Sequence, residues 1–246
     1  LLGGGGTAAT VAAIASVCAR HGANIVGIRR LAEEDIRAAE LLVEASEVAD
    51  AGAFRRSILA AAETAGADVA LVREDVFRRS KRLVVLDADS TLVAGEVIDA
   101  LAVAAGVGEE VAALTDRAMA GELDFETSLR RRVALLKGLP ARVLDQVADS
   151  MPLTPGAEET VAACKVLGLK VAVISGGFEF FTEHLRRRLG LDYAFANELE
   201  MVDGRLTGEV LGEIVDGAAK ARLLEQIAAA EGIHPSQVVG VGDGAN

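Results

Sequence analysis

The chain has 246 residues, which is enough for one large domain or for two smaller ones. Its formal net charge of −12 argues against binding to nucleic acid or to anionic membranes, because both require a positive surface. Hydrophobic residues make up 51% of the chain and aromatic residues only 3%, which is typical of helices packed on a parallel sheet. The two cysteines lack the spacing of a disulfide framework or a metal motif, and this favours a cytoplasmic protein. No apolar stretch reaches the ~18 residues of a membrane span.

Residues 1–76 predict a small α+β domain. Apolar spacing and turn signals indicate, in chain order, a helix, two strands, a second helix and a third strand. We expect these elements at residues 7–21, 22–32, 41–48, 54–66 and 67–74. One more strand before them, of which Leu1 and Leu2 remain, would complete a βαββαβ domain. The charged segment 75–81 is the expected domain boundary.

Residues 80–246 predict an α/β domain. Three of its apolar strands end in polar or glycine-rich loops, which begin at Asp87, at Ser175-Gly176-Gly177 and at Gly242-Asp243-Gly244. We expect residues 96–150 to be mostly helical, and Asp203-Gly204 is typical of a hairpin turn. In an open α/β sheet, ligands bind where the strands end, so the sequence predicts a site at this edge.

Asp87 and Asp89 lie two positions apart at the end of the first of these strands. Alternate residues of an extended segment face the same side, so the two carboxylates are expected to project together. Like charges at that distance repel unless a cation or a shared proton lies between them. With Asp243 as a third oxygen ligand, they would suit Mg²⁺. Taken alone, this pair is equally consistent with a solvated turn.

A second set of residues is suited to phosphate. Ser175 with Gly176 and Gly177 offers a hydroxyl and accessible backbone N–H groups, and Lys220 offers a positive charge. Each feature has an ordinary alternative, since a Ser-Gly-Gly segment is often a simple turn and a lysine on an amphipathic helix is usually solvated. In combination with the carboxylate pair, they favour a phosphate-handling site.

Four motifs in this order resemble those of the haloacid dehalogenase superfamily. They are Asp87-Ala88-Asp89-Ser90-Thr91, Ser175-Gly176-Gly177, Lys220, and Gly242-Asp243-Gly244-Ala245-Asn246. Residues 95–102 and 117–140 are similar to the helical cap of the branch that hydrolyses O-phospho-L-serine. The resemblance implies a Rossmann-like parallel sheet over residues 80–246 with a cap at about 94–152.

The first part of the chain resembles an ACT domain, on the helix, Gly-Ala-Asn-Ile and strand pattern at residues 11–28. This implies a regulatory or oligomerisation domain over residues 1–76 that precedes the α/β domain. It also implies a homodimer or larger assembly, in which serine binds near His21-Gly22-Ala23-Asn24 as an effector. The alternative is a domain that only joins subunits.

The superfamily resemblance also implies roles for the motif residues. Asp87 would attack phosphorus, and Asp89 would act as general acid and then as general base. Mg²⁺ would be held by the Asp87 carboxylate, the main-chain carbonyl of Asp89 and Asp243. The phosphoryl oxygens and the surrounding loop would be held by Ser175, Gly176, Lys220 and Asn246.

Substrate selection falls to the cap. The resemblance implies that Glu96 binds the ammonium of phosphoserine and Arg132 its carboxylate, while Met119 and Phe125 close the pocket. Without the resemblance, Arg132 would be assigned to an exposed helix face, and Met119 and Phe125 to ordinary packing.

The predicted function is Mg²⁺-dependent hydrolysis of O-phospho-L-serine to L-serine and phosphate, the last step of serine biosynthesis. One alternative is a phosphatase or phosphotransferase that acts on another small phosphomonoester. Another is an amino-acid sensor whose phosphatase part has degenerated. The chain starts at Leu1 rather than Met and stops at Asn246, where the superfamily motif continues with Asp, so we expect further residues on both sides.

Overall fold

The chain folds into two compact units, residues 1–74 and 75–246. The computed structural model describes residues 2–3, 7–32, 37–77 and 79–244. Among these residues, no helix is long and apolar enough to cross a membrane.

The first unit contains a three-stranded antiparallel sheet in the order β1-β3-β2. Its elements are β1 Leu2–Gly3, α1 Thr7–Arg20, β2 Asn24–Ala32, β3 Arg37–Glu44 and α2 Ala51–Thr64. The two helices share a core with one side of the sheet, where Val17 and Ile58 of the helices are buried beside Ile25 and Val43 of the strands. The predicted helices and the first two strands are confirmed, although β3 lies four residues earlier than the predicted 41–48.

The strand predicted at residues 67–74 is wrong. Only Asp68 forms an isolated bridge there, and residues 69–74 have no regular structure. Val69 and Leu71 instead pack on the core formed by the helices of this unit. Their alternation therefore reflects burial of one side of an irregular segment, which produces the same apolar pattern as a strand.

The second unit is built on a five-stranded sheet in the order β7-β6-β5-β4-β8, as the predicted α/β fold requires. Its strands are β4 Leu83–Leu86, β5 Lys170–Phe178, β6 Tyr193–Val202, β7 Arg205–Leu211 and β8 Val238–Val241. β4, β5, β6 and β8 run parallel, and β7 is antiparallel at one edge. β4 is buried on both faces, with Val84 and Leu86 in one core and Leu83 and Val85 in the other. This explains why its sequence is continuously apolar.

Seven helices of the described part of this unit surround the sheet. They are α3 Val97–Ala105, α4 Gly108–Met119, α5 Phe125–Ala134, α6 Ala141–Ser150, α7 Ala157–Val166, α8 Glu179–Leu189 and α9 Gly217–Ala230. Four of them, α3 to α6, form a helical cap between β4 and β5, and a bridge between Val93 and Leu153 joins the two connections to it. The predicted hairpin turn is confirmed, because Asp203 and Gly204 have φ values of 50° and 72°.

Candidate active site

The site begins with Asp87, the residue that follows β4. Its backbone N–H donates to the carbonyl of Val241 on β8 at 2.9 Å, which extends the strand pairing by one residue. One carboxylate oxygen accepts from the N–H of Ala88 at 2.8 Å, and the other from Lys220 Nζ at 2.5 Å. The side chains of Asp87 and Lys220 are only 13% and 12% exposed. The pair is therefore a partly desolvated ion pair rather than a solvated turn.

Asp89 is held in extended conformation, with φ −63° and ψ 137°. Its Oδ1 accepts from the N–H of Val97 at the start of α3, at 2.9 Å. Burial raises the pKa of Asp89 to about 7, and the carboxylates of Glu96 and Asp87 add to this rise. The hydrogen bond from Val97 acts in the opposite direction and lowers the pKa. A carboxyl group with this pKa can donate and accept a proton near neutral pH.

Ser90 orients Glu96. It belongs to the first motif, but the sequence did not reveal this role. Ser90 has φ 53°, in the left-handed region that non-glycine residues rarely adopt. Its Oγ donates to Glu96 Oε1 at 3.0 Å, and its N–H donates to the carbonyl of Gly95 at 3.1 Å. Burial raises the pKa of Glu96, with a further contribution from Asp99, whereas the Ser90 hydrogen bond and Arg132 oppose the rise.

Gly176 and Gly177 lie in the irregular last part of β5, where a side chain at either position would displace the tip of a neighbouring side chain. A Cβ on Gly176 would lie 2.8 Å from Cζ of Phe125, and a Cβ on Gly177 would lie 2.7 Å from Oδ2 of Asp89. Ser175 is 1% exposed, and its Oγ accepts from the N–H of Gly177 at 2.9 Å. This leaves the hydroxyl hydrogen able to point toward a ligand oxygen. The absence of side chains at both glycines leaves their backbone open toward the cavity, although the N–H of Gly177 already donates to Ser175 Oγ.

Lys220 reaches the site from the first turn of α9. Asp216 caps this helix by accepting from the N–H of Ala219 at 2.8 Å. The cap fixes where the helix begins, and thus where Lys220 stands relative to Asp87.

Asn197 on β6 joins the loop after β5 to the segment before α9. It is 1% exposed, and its Nδ2 donates to the carbonyls of Gly176 and Gly177 at 2.8 and 3.1 Å. Its Oδ1 accepts from the N–H of Val215 at 2.8 Å. Sequence reasoning missed this residue, although asparagine is uncommon inside strands and was the available signal.

The cap contributes Arg132 and Phe125 from α5. Arg132 Nε donates to the carbonyl of Ser128 at 3.4 Å. Burial lowers the pKa of the Arg132 guanidinium, while Asp99 and Glu96 oppose this. Phe125 is 41% exposed. Met119, at the end of α4, is 85% exposed and is not part of the cavity lining, so its predicted role stays a prediction.

The predicted residues otherwise converge on one cavity of about 260 Å³. It is lined by Asp87, Asp89, Glu96, Phe125, Arg132, Ser175, Gly176, Lys220 and Asp243. Asn246 lies outside the described residues. The cavity thus combines a carboxylate cluster, a lysine, a glycine loop and an arginine, which is a set suited to a substrate with both phosphate and carboxylate groups.

The donor set at the sheet edge fits a hard cation. Asp87, Asp89 and Asp243 line the same cavity, where burial and, to a smaller extent, the carboxylates of Glu96 and Asp87 raise the pKa of Asp89. Within the described residues, no three acidic, histidine or cysteine side chains converge closely enough to hold a metal by themselves. Two side chains and a main-chain carbonyl suit Mg²⁺, which keeps water and substrate oxygens among its ligands.

Comparison with known proteins agrees with this geometry. The family model of haloacid dehalogenase-like hydrolases matches residues 84–246, and an ACT domain model matches residues 1–72. The chain therefore belongs to the haloacid dehalogenase-like hydrolase family, and both predicted resemblances are confirmed.

Several similar proteins are phosphoserine phosphatases. A phosphoserine phosphatase of Archaeoglobus fulgidus is 52% identical over 207 residues, which are 84% of this chain and 60% of the relative. A phosphoserine phosphatase of Streptomyces coelicolor is 50% identical over 240 residues, 98% of this chain and 58% of the relative. A solved structure of a phospho-aspartyl intermediate analogue of phosphoserine phosphatase is 50% identical with a TM-score of 0.63, covering 67% of this chain and 78% of that one. The chain thus spans about three fifths of the length of these two curated relatives.

Proposed function

We propose that this protein hydrolyses O-phospho-L-serine to L-serine and phosphate, as the last step of serine biosynthesis. The observation that carries the proposal is the Asp87 and Lys220 pair, which shares one cavity with Asp89, Glu96 and Arg132. This arrangement supports roles for Asp87 as nucleophile and Asp89 as acid, beside Glu96 for the ammonium and Arg132 for the carboxylate of the substrate.

The chemistry has two steps. In the first, an Asp87 oxygen bonds to phosphorus while the bond from phosphorus to the serine oxygen breaks, and Asp89 gives its proton to that oxygen. In the second, Asp89 takes a proton from water, whose oxygen bonds to phosphorus while the bond from phosphorus to the Asp87 oxygen breaks, which restores the Asp87 carboxylate and releases inorganic phosphate. Ser175, Gly176 and Lys220 hold the phosphoryl oxygens through both steps. The pKa of Asp89 near 7 suits a group that must serve as acid and then as base.

Mg²⁺ is part of this proposal, with Asp87, the main-chain carbonyl of Asp89 and Asp243 as its protein ligands. When bound, it supplies positive charge that reduces the repulsion between the Asp87 carboxylate and the phosphate. Lys220 and Arg132 provide two positive charges to a cavity lined by four carboxylates, those of Asp87, Asp89, Glu96 and Asp243.

The first experiment is phosphate release by the full-length protein with and without Mg²⁺. The substrates are O-phospho-L-serine, O-phosphoethanolamine and p-nitrophenyl phosphate. We expect selective, Mg²⁺-dependent turnover of O-phospho-L-serine, and a loss of about 10³-fold or more in Asp87→Asn, because an amide is a poor nucleophile. Asp203→Asn, at the exposed hairpin turn, makes the same chemical change away from the site and should keep full activity. Equal turnover by Asp87→Asn and the unsubstituted protein would exclude the proposed nucleophile.

Arg132→Ala separates this function from that of a phosphatase or phosphotransferase for other small esters. Loss of a charge-assisted hydrogen bond to the carboxylate should raise KM for O-phospho-L-serine about 10–100-fold. Turnover of O-phosphoethanolamine, which has no carboxylate, should change little. Arg131→Ala, on the exposed face of the same helix, is the matched control. Unchanged selectivity in Arg132→Ala would favour the alternative substrates.

We also propose that the first unit mediates assembly into a homodimer and binds serine near residues 21–24. The ACT domain match and the exposed apolar side chains of Val26, Ile28 and Leu42 on its sheet support this. Sedimentation of the full-length protein should show a dimer. The Val26→Glu variant should dissociate more readily into monomers, whereas the Val72→Glu variant should remain a dimer. Calorimetric titration with L-serine should show binding, and the absence of heat would leave assembly as the role of the domain.

The free thiols of Cys18 and Cys164 support a cytoplasmic location.

A further inference from the structure

The connection between α5 and α6 runs along the outer edge of β7. The N–H of Gly138 donates to the carbonyl of Leu206 at 2.8 Å, and the N–H of Leu206 donates to the carbonyl of Leu139 at 3.0 Å. The N–H of Ala141 donates to the carbonyl of Gly204 at 2.9 Å, and Nη1 of Arg205 donates to the carbonyl of Gly138 at 2.7 Å. The cap is therefore joined to the hairpin of β6 and β7 by strand-like hydrogen bonds.

One face of β7 also packs on α5. Alternate residues Leu206, Gly208 and Val210 are buried, and the two large side chains share a core with Leu129 and Val133 of α5. At the far end of this contact, Nη1 of Arg130 donates to the carbonyl of Val210 at 3.2 Å. The helix is thus fixed to the hairpin along most of its length.

Gly208 sets how closely the helix approaches. Its φ is +89°, and a Cβ placed there would lie 3.2 Å from Cα and O of Ala134 and 3.2 Å from Cβ of Lys137. The first two of these atoms are backbone, so a side chain at this position would have to displace the last turn of α5. Glycine at position 208 is therefore favoured by this close contact as well as by its own backbone conformation.

The same helix carries Arg132 and Phe125 into the cavity. From these contacts we propose that the hairpin of β6 and β7 sets the position of α5, and that Gly208 is a positioning residue for selection of the substrate carboxylate by Arg132. Gly208 is not among the residues that line the cavity, so its influence on the site passes through the helix. This inference rests on the proposed function, because it assigns the source of selectivity at the same site.

The test compares Gly208→Ala with Gly212→Ala. Gly212 has φ +70°, but nothing lies within 4 Å of a Cβ placed there, so its substitution introduces backbone strain without contact to α5. We measure kcat and KM for O-phospho-L-serine and for O-phosphoethanolamine. Gly208→Ala should reduce the ratio of the two kcat/KM values about 3–30-fold, mainly through KM for O-phospho-L-serine, because small misplacements of binding groups are costly. Gly212→Ala should leave the ratio unchanged.

A second variant, Arg130→Met, removes the hydrogen bond to Val210 without altering Gly208 or the cavity. It should lower the same ratio by a smaller factor. An unchanged ratio in Gly208→Ala, or equal losses in Gly208→Ala and Gly212→Ala, would overturn the proposal.

Amide hydrogen exchange of α5 separates this inference from the proposed function, because it needs no substrate. Exchange over residues 125–134 should be faster in Gly208→Ala than in Gly212→Ala, by about tenfold, if the hairpin holds the helix. If the unsubstituted protein does not hydrolyse O-phospho-L-serine, the proposed function fails, and this exchange difference still decides whether the hairpin positions α5. Equal exchange in the two variants would overturn the positioning role whatever the substrate.

Discussion

Carboxylates at the two ends of the five-stranded sheet have pKa shifts of opposite direction. At the amino ends of β5 and β6, Asp192 accepts from Lys165 Nζ and from the N–H of Val171, both at 2.8 Å. Burial alone would raise the pKa of Asp192, but these hydrogen bonds bring it below its usual range. Hydrogen bonds from Tyr193 and Lys170 likewise lower the pKa of Glu231.

At the carboxyl ends of the same sheet, the shifts are reversed. Burial raises the pKa values of Asp89 and Glu96, and neighbouring carboxylates add to the rise. Carboxylates at one end are matched by cations and stabilise the fold, whereas those at the other end are crowded and short of positive charge. A cation or a cationic ligand group would relieve this crowding, which is why shifts of this sign mark a binding site.

The largest effect is expected when a lysine is replaced at each end of the sheet. Lys220→Met should lower kcat/KM for O-phospho-L-serine about 10²–10³-fold, because Asp87 and the phosphoryl group lose their positive partner. Lys165→Met should keep activity within about twofold and lower the free energy of unfolding by about 1 kcal/mol or less, the scale of exposed ion pairs. Phosphate release and urea unfolding of both variants give the comparison. A large loss of activity in Lys165→Met would show that the lysine at the amino ends of the strands also contributes to catalysis, which contradicts the contrast between the two ends.

A smaller effect is expected from Asn197→Leu. Its three hydrogen bonds hold the Gly176 and Gly177 carbonyls and the Val215 N–H in place. Their loss should lower kcat/KM about 10–100-fold, since the loop and the start of α9 would no longer be aligned. The buried groups left without partners should also lower stability by about 1–3 kcal/mol. Gln226→Leu, at an exposed position of α9, should do neither, and a loss of stability without a loss of activity in Asn197→Leu would assign Asn197 to stability alone.

The smallest expected effect is on the pH dependence of stability, to which Asp192 contributes. A carboxylate whose folded-state pKa is depressed stabilises the fold above its unfolded pKa of about 3.9, and this contribution disappears as pH falls through the folded-state value. Asp192→Asn should therefore lower the free energy of unfolding at neutral pH by about 0.5–1 kcal/mol. The two proteins should become equally stable in strong acid. Asp145→Asn, at an exposed position of α6, should show no such convergence, and a constant difference across pH in Asp192→Asn would exclude the ion pair as its cause.

The sequence was sufficient for features that depend on local patterns. The buried strands, the Asp203-Gly204 hairpin and the loops that follow β4, β5 and β8 were predicted because each is encoded by adjacent residues. Parallel strand topology then brings those loops together at one edge, so most of the cavity could be predicted without coordinates.

Features that depend on distant contacts were not predicted. Asn197 links two loops that are far from it in sequence, and its role appears only when β6 lies beside β5. The strand expected at 67–74 failed for a related reason, since an apolar alternation does not say whether a neighbouring strand pairs with it. Ser90 required knowledge of its φ value, which a serine in a motif does not reveal.

The strand-like segment at Gly138 and Leu139 has a consequence for solubility. β7 lies at the edge of its sheet, and an uncovered edge offers unpaired N–H and C=O groups to any other extended chain. Here Leu206 forms hydrogen bonds with the cap connection on that side, so the position is already filled from within the chain. The contacts that hold the cap therefore also protect this part of the β7 edge against pairing with another chain.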